Sequence, residues 1–165
     1  RKALTELRSR VFALGLVHQQ LMESSDLRTF EIGPFLADLS ANIIDSVADD
    51  RVTLTVDASP LQVGLDFAVP LGLLVTEIVT NSLKHAFPDG SGQIAVQLRV
   101  DTGKQVVLTV ADNGVGHAGD VQAPAKPGSG SSIINKLVAQ LTGQIAVHSD
   151  AGTKTEIILP LPVAS

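Results

Sequence analysis

The sequence predicts an α+β fold, a two-layer sandwich of helices on one face of a sheet, preceded by a helical segment. Two observations support this prediction. Apolar residues recur at helical spacing in several stretches and alternate with polar residues in several others. The 165 residues suffice for one domain with a helical extension, and we do not expect a second full domain.

The composition excludes several classes of function. Hydrophobic residues make up 44% of the chain and charged residues 18%, which is typical of a globular protein. A net charge of -5 and an aromatic content of 3% offer neither a basic stripe nor base-stacking platforms, so we do not expect nucleic acid binding, while the composition does not exclude a single nucleotide as a ligand. The chain has no Cys, and its four His lack zinc-site spacing.

No feature of the sequence indicates a membrane segment. No apolar run reaches the roughly 18 residues that span a bilayer. The opening stretch RKALTELRSR has neither an initiator Met nor the apolar core of a signal peptide. We therefore expect a soluble, cytoplasmic piece of a longer protein, with no direct membrane insertion by this piece.

The first helix is predicted by a seam of residues at alternating three- and four-residue spacings. The seam comprises Leu4, Leu7, Val11, Leu14, His18 and Leu21. Single helices are marginally stable in water, so we expect a partner helix from a second chain or from a preceding segment. For His18 on this seam, a hydrogen-bonded core position is a better expectation than a reactive one.

Two further helices and a strand follow. An amphipathic helix is predicted from Ile32 to Val47, with Pro34 tolerated in its first turn. RVTLTV alternates and predicts a strand. The most apolar helix is expected at residues 67–86, buried against the sheet, with Asp66 as its cap and Pro70 in its opening turn.

The last third of the chain contains the remaining strands. We predict a hairpin of strands 92–100 and 105–111 around DTGK. Residues 113–130 are rich in Gly and Pro, and a loop of this length is typical of a lid or a disordered segment. A helix and two strands complete the domain, at residues 131–142, 144–149 and 154–160.

Four polar residues share one face of the central helix. Glu77, Asn81, Lys84 and His85 are three or four residues apart. Burying polar and charged side chains in an otherwise apolar helix costs free energy, so such a stripe indicates a functional role. An Asn oxygen beside a carboxylate can hold a hydrated magnesium ion, and Lys and His can neutralise phosphate oxygens. An ordinary exposed polar face is the alternative interpretation.

A strand ends in LTVADNGVGHAGD, where Asp112 is followed by Asn113, Gly114 and Gly116. A carboxylate at a strand end can accept a hydrogen bond from an exocyclic amine such as that of adenine. The glycines would let a flat ring approach the backbone. Asn-Gly is equally typical of a purely structural turn.

Two glycine-containing turns complete the set of candidate motifs. Gly128, Ser129 and Gly130 open a helix, where free backbone N–H groups attract phosphate. DAGT places Gly152 and Thr153 before the last strand, and alone this motif predicts an ordinary turn.

In their order and spacing these pieces resemble the Bergerat-type ATP-binding domain of sensor histidine kinases, DNA gyrase, Hsp90 and MutL. The resemblance covers about residues 50–163. PLGLLVTEIVTNSLKHAFPDG is similar to the N box of histidine kinases of the HisKA_2 or HWE type, and RSRVFALGLVHQQL to the second helix of their dimerisation segment. The resemblance divides the chain into two parts: residues 1–27, part of a dimerisation and phosphotransfer segment, and residues 28–165, a catalytic ATP-binding domain.

This resemblance implies a protein histidine kinase of a two-component system. It implies transfer of the γ-phosphate of ATP to a histidine upstream of this chain, because the family's His-Arg-x-Lys-Asn-like acceptor motif is not found here and His18 lies on the partner helix. It also implies a homodimer through the N-terminal helical segment and a response regulator receiver domain as partner.

The resemblance assigns a role to each candidate residue. Asp112 would bind the adenine amine in a pocket shaped by Gly114 and Gly116. Asn81 would ligate magnesium, and Glu77 would orient a water or act as the catalytic base. The remaining ATP contacts would come from the N box, from the base of a mobile lid and from the last motif: Lys84, His85, Gly128, Ser129, Gly130 and Thr153.

One departure keeps two alternatives open. Ser129, Ser131 and Ser132 stand where relatives commonly carry apolar residues, which would loosen the lid. A degenerate, non-catalytic dimeric scaffold or phosphotransfer partner of a response regulator is therefore one alternative. An anti-sigma serine kinase is another, although that branch needs no dimerisation helix.

Overall fold

The computed structural model describes residues 2–25, 27–47, 51–88, 90–102, 104–115, 130–149 and 151–162. Four helices and seven strands lie within these ranges. The helices are α1 (Lys2–Glu23), α2 (Ile32–Val47), α3 (Leu65–His85) and α4 (Gly130–Gln140). The strands are β1 (Phe30–Glu31), β2 (Val52–Ala58), β3 (Gln62–Val63), β4 (Gly92–Val100), β5 (Gln105–Asp112), β6 (Gln144–Ser149) and β7 (Thr153–Pro160).

Five of the strands form one mixed sheet in the order β2-β4-β5-β7-β6. β2 and β4 pair in parallel, as the crossover through α3 between them allows, and the other neighbours are antiparallel. The register places Asp112, the last residue of β5, opposite both Ile94 of β4 and Thr153 of β7. Residues from three strands, β4, β5 and β7, therefore lie side by side where β5 ends.

Helices α2, α3 and α4 pack on one face of this sheet. α2 packs against β2, α3 against β5 and α4 against β6. The alternation of each strand turns its apolar residues towards the helices, so Val96, Leu108 and Ile157 are buried, while Gln97 lies on the exposed face. The two-layer α+β sandwich predicted from the sequence is confirmed.

The exposed face of the sheet is polar at its β2 edge. Arg99 of β4 donates a hydrogen bond to the carboxylate of Asp57 in β2. This hydrogen bond and the charge of the guanidinium lower the pKa of Asp57. The pair lies in solvent, so its contribution to the free energy of unfolding is small.

The central helix begins earlier than the sequence suggested. Gly64, in an extended conformation, is the N-cap, and it has no side chain with which to cap the helix. The backbone amides of Phe67 and Ala68 donate to its carbonyl oxygen. The prediction of Asp66 as the cap is therefore wrong. Asp66 lies inside the first turn, where the negative charge of its carboxylate interacts favourably with the helix dipole. Pro70 consequently lies in the second turn rather than the opening one.

Close packing fixes α3 in the core. A Cβ atom added to Gly72 would lie 2.8 Å from Cζ of Phe35, so this glycine lets α2 and α3 approach each other. By length and composition α3 is apolar enough to cross a membrane, but 61% of its apolar window is buried inside the structure, as in the core helix of a soluble protein.

Helix α1 packs on α3 and α2 through a face other than the predicted seam. Ala13, Leu16 and Val17 are buried there, and Gln20 donates a hydrogen bond to Asp38 of α2. α1 thus shares its hydrophobic core with the domain that follows it. The division at residue 27 remains a prediction.

The predicted seam of α1 lies on the opposite side of the helix, apart from Leu21, which packs against the core. Leu7 is 54% exposed, and Leu4, Val11 and Leu14 are exposed as well. His18 is also exposed on this side, so a core position for it would require the expected partner helix and remains a prediction. Exposed apolar residues in a row are typical of a surface that a further helix would cover.

Candidate functional site

The carboxylate of Asp112 is held in one orientation by three hydrogen bonds. Its Oδ1 accepts from the backbone N–H of Gly114 (3.0 Å) and of Thr153 (3.1 Å), and its Oδ2 accepts from the hydroxyl of Ser82 (2.9 Å). A carboxylate has about four acceptor positions on its two oxygens. Oδ2 therefore retains acceptor capacity for one further donor, such as an exocyclic amine. The residue is half-buried, so such a donor can reach it.

The Asn-Gly pair after β5 anchors the strand end to its neighbours. The N–H of Asn113 donates to Gln93 (3.2 Å), and its side-chain Oδ1 accepts from the N–H of Gln93 (2.7 Å). The N–H of Val115 donates to the carbonyl of Ala86, just after α3. The strands that pair with β5 are β4 and β7, so among the described strands this pair of residues does not join β5 to a neighbour through a two-residue hairpin. The alternative of a purely structural turn stays open.

Gly114 is required by the closeness of α3. A Cβ atom at this position would lie 2.2 Å from the carbonyl oxygen of Ala86. No real contact is that short, so any side chain would displace the turn that holds the carboxylate of Asp112.

The last motif, Gly152 and Thr153, also belongs to the surroundings of Asp112. Gly152 has φ +128, and a Cβ atom there would lie 2.2 Å from the carbonyl oxygen of Asp112. Thr153 supplies one of the three hydrogen bonds to the carboxylate. The ordinary turn expected from the sequence is thus placed where it orients the candidate adenine-binding group.

The polar stripe on α3 runs from the interior to the surface. Glu77 is buried, Asn81 is half-buried, and Lys84 and His85 are exposed at the end of the helix. An ordinary exposed polar face does not explain a buried carboxylate. Ser82, the residue after Asn81, joins this part of α3 to Asp112, so the N box and the end of β5 are directly linked.

Glu77 has an ion-pair partner on α1. Nε of Arg10 donates to Oε1 of Glu77 at 2.7 Å, and the glutamate side chain is only 8% exposed. Sequence reasoning missed this contact, although a signal was present. Arg10, Ala13, Val17 and Gln20 recur at helical spacing and form the second, docking stripe of α1.

The predicted site includes residues that lie outside the described part of the chain: Gly116, Gly128 and Ser129, together with most of the predicted lid loop. Gly130 is the first residue of α4, as a turn opening a helix requires. The ATP contacts assigned to these residues remain predictions.

The donor set suits magnesium bound together with a nucleotide. Within the part of the chain that the structure describes, no group of three or more His, Asp or Glu could hold a metal ion by itself. Magnesium commonly binds through one or two protein oxygens, with phosphates and waters completing its octahedron. The half-buried amide of Asn81 can supply such an oxygen, and the exposed Lys84 and His85 supply cationic or hydrogen-bonding groups for phosphates.

Two family models match the chain. Residues 66–165 match the family described as "Histidine kinase-, DNA gyrase B-, and HSP90-like ATPase", and residues 1–47 match HisKA_2, described as "Histidine kinase". The second match includes both α1 and α2.

Curated proteins that the chain is similar to are named as histidine kinases. The chain is 32% identical to blue-light-activated histidine kinase 2 of Erythrobacter litoralis over 94% of its own length and 46% of the relative's. It is 26% identical to sensor histidine kinase PdtaS of Mycobacterium tuberculosis, covering 99% of the chain and 33% of that protein. The chain thus spans less than half the length of these relatives.

Solved structures share the fold. The histidine kinase domain of the blue-light-activated kinase EL346 from Erythrobacter litoralis superposes with a TM-score of 0.84 at 31% identity, over 94% of this chain and 75% of that one. The mycobacterial sensor histidine kinase MprB gives a TM-score of 0.63 at 22% identity, over 82% of this chain and 98% of that one, which shows the fold alone.

Proposed function

Because the chain belongs to the family of histidine kinase-, DNA gyrase B- and HSP90-like ATPases, we propose that it is the ATP-binding catalytic core of a sensor histidine kinase. In this proposal it transfers the γ-phosphate of ATP to a histidine upstream of residue 1. The observation that supports this proposal most directly is the hydrogen bonding of the Asp112 carboxylate. Ser82, Gly114 and Thr153 hold the carboxylate, and no other described residue donates a hydrogen bond to the remaining acceptor position on Oδ2.

Adenine recognition would depend on that remaining position. The exocyclic amine of adenine would donate to Oδ2 of Asp112, while the turn at Gly114, packed closely against Ala86, would keep the carboxylate in place. Guanine carries a carbonyl oxygen in place of this amine and would place an acceptor against an acceptor. The site would therefore discriminate between the two purines.

The N box would position the triphosphate. Asn81 would hold magnesium, which neutralises phosphate charge when bound. Lys84 and His85 would contact phosphate oxygens. Glu77, one helical turn before Asn81, would orient a water or accept the proton of the incoming imidazole. Phosphoryl transfer depends mainly on such positioning and charge neutralisation.

The exposed seam of α1 supports dimerisation. Leu4, Leu7, Val11 and Leu14 form an apolar strip that the described part of this chain leaves exposed. We infer that it packs against helices of the dimerisation segment in a homodimer. A response regulator receiver domain would then accept the phosphate. Since ATP is the donor, we place this core in the cytoplasm.

Two alternatives can be weighed against this proposal. The match of residues 1–47 to a histidine kinase model supports it over an anti-sigma serine kinase. The serines of the second glycine box, Ser129, Ser131 and Ser132, are the sequence feature that favours a non-catalytic scaffold. Such a scaffold would form dimers without forming phosphohistidine.

The test is autophosphorylation of the chain extended upstream to include the acceptor helix. Incubation with magnesium and γ-labelled ATP should produce a protein-bound phosphate that is labile in acid and stable in base. An Asp112→Asn variant should lose most of the label at low ATP concentration. A dimer that binds ATP but never gains acid-labile phosphate would support the scaffold and contradict the kinase.

A further inference from the structure

We propose that Arg10 of α1 is a positioning residue for Glu77, and that the placement of α1 thereby sets the orientation of the catalytic carboxylate. The inference rests on the proposed kinase function and adds a control element to it. Its basis is a contact between two residues that are 67 positions apart in sequence and lie on different helices: Nε of Arg10 to Oε1 of Glu77, at 2.7 Å.

The geometry of this contact leaves one carboxylate oxygen for chemistry. Arg10 occupies Oε1, and no described residue donates a hydrogen bond to Oε2. A charge-assisted hydrogen bond is directional and restricts the torsions of the glutamate side chain. With Oε1 fixed, the direction of Oε2 is also fixed. Oε2 is thus the acceptor for the water or imidazole proton near Asn81, one helical turn further along α3.

The position of Arg10 is set by the docking of α1. Ala13 and Val17 lie on the same stripe of the helix and are buried against the rest of the domain. The guanidinium therefore reaches Glu77 only when this stripe is seated on α3. A shift of α1 by one turn, about 5.4 Å, would exceed hydrogen-bond range.

The other side of α1 can transmit a signal. Leu7, Val11 and Leu14 are exposed on it and form the proposed dimerisation surface. One helix therefore carries both the dimerisation surface and, at the border of that surface, the partner of Glu77. Any rearrangement of the helical dimer that moves α1 would move Arg10 and release the carboxylate.

A purely structural ion pair is the competing explanation. A buried carboxylate needs a cation, and losing that cation alone destabilises a protein strongly. In that case replacing Arg10 would weaken folding and ATP binding together, and any loss of rate would follow the loss of folded protein. A positioning role instead predicts a loss of rate in protein that is folded and saturated with nucleotide.

The experiment uses the parent protein that carries the acceptor histidine. The variants are Arg10→Gln, Arg10→Lys, Glu77→Gln and the double variant Arg10→Gln/Glu77→Gln. Arg8→Gln is the matched control, because Arg8 is an exposed arginine on the same helix. Each variant is assayed for its unfolding temperature, its Kd for magnesium-ATP and its rate of autophosphorylation at saturating ATP.

The expected result separates rate from binding. Arg10→Gln lowers the saturated rate by about tenfold or more, since misorienting a catalytic group by about 1 Å can have such an effect. Its Kd for magnesium-ATP stays within about threefold of the unaltered protein. Arg10→Lys, which keeps the charge within reach, restores most of the rate, and Arg8→Gln has no effect. In the Glu77→Gln background, Arg10→Gln lowers the rate no further.

Three outcomes would overturn the inference. Arg10→Gln could match Arg8→Gln in rate, the rate losses of Arg10→Gln and Glu77→Gln could multiply in the double variant, or affinity could fall in parallel with rate. If the single variant Arg10→Gln does not fold, the double variant Arg10→Gln/Glu77→Gln is used instead, because it has no unpaired buried charge. Its saturated rate is then compared with that of Glu77→Gln. Failure of the unaltered protein to bind magnesium-ATP would contradict the proposed function itself, and this inference with it.

Discussion

Replacing Asp112 by Asn should alter base recognition and leave the fold intact. Oδ1 of Asp112 accepts two backbone N–H groups, from Gly114 and Thr153. The amide must therefore keep its oxygen on that side. Its NH₂ group takes the place of Oδ2, where the hydroxyl of Ser82 can rotate to accept from it. The atom facing the base then becomes a donor instead of an acceptor.

The size of the effect follows from the bond that is lost. A hydrogen bond to a charged group contributes about 1.5–3 kcal/mol, and about 1.4 kcal/mol corresponds to a tenfold change in Kd. ATP should therefore bind about 10- to 100-fold more weakly. Because the local hydrogen bonds persist without their charge, the free energy of unfolding should fall by only about 1 kcal/mol.

Inosine triphosphate provides the decisive comparison. It carries a carbonyl oxygen where adenine carries its amine, so it should gain a hydrogen bond from the new NH₂ group. Calorimetry with magnesium-ATP and magnesium-ITP should show the ATP preference of the unaltered chain disappear in Asp112→Asn. Asp66→Asn, the same change on an exposed carboxylate of α3, should leave both affinities unchanged. Equal losses for both nucleotides, or unchanged ATP affinity, would refute the assignment of Asp112.

Further substitutions test the metal, the turn and the dimer. Asn81→Ala should abolish the difference in ATP affinity measured with magnesium and with a chelator; a persisting difference would place the metal elsewhere. Gly114→Ala, with a Cβ atom 2.2 Å from a backbone carbonyl oxygen, should lower the free energy of unfolding in urea by about 2 kcal/mol, whereas Gly15→Ala, which meets nothing within 4 Å, should raise it by up to about 1 kcal/mol. An equal response of the two glycines would contradict the crowding argument. Leu7→Ser combined with Leu14→Ser should convert dimers into folded monomers in sedimentation experiments, and dimers that persist would exclude this face as the interface.

The sequence predicted the main elements because each carries a clear periodicity. The predicted α2 has the bounds that the structure shows, and so do β4 and β6. β1 and β3 were missed because two residues cannot display an alternation. The start of α3 was misplaced because its N-cap is Gly64, a residue without a side-chain signal, rather than the nearby Asp66.

The sequence predicted those site residues that belong to a local pattern, and it missed those whose contribution depends on tertiary packing. Asp112 and the stripe from Glu77 to His85 stand out locally, by strand position and by helical spacing. The contribution of Ser82 depends on how α3 is rotated against β5, which the packing of the core decides. The partner of Glu77 is 67 residues away, and no local pattern connects Arg10 to it. Only the second stripe of α1 hinted that this arginine faces the domain.

A structure of the chain bound to magnesium and a non-hydrolysable ATP analogue would test the central claim most directly. The account predicts the adenine amine within hydrogen-bond distance of Oδ2 of Asp112, and a magnesium ion held by Asn81 beside the phosphates. An adenine bound elsewhere, or phosphates remote from Asn81, would contradict it.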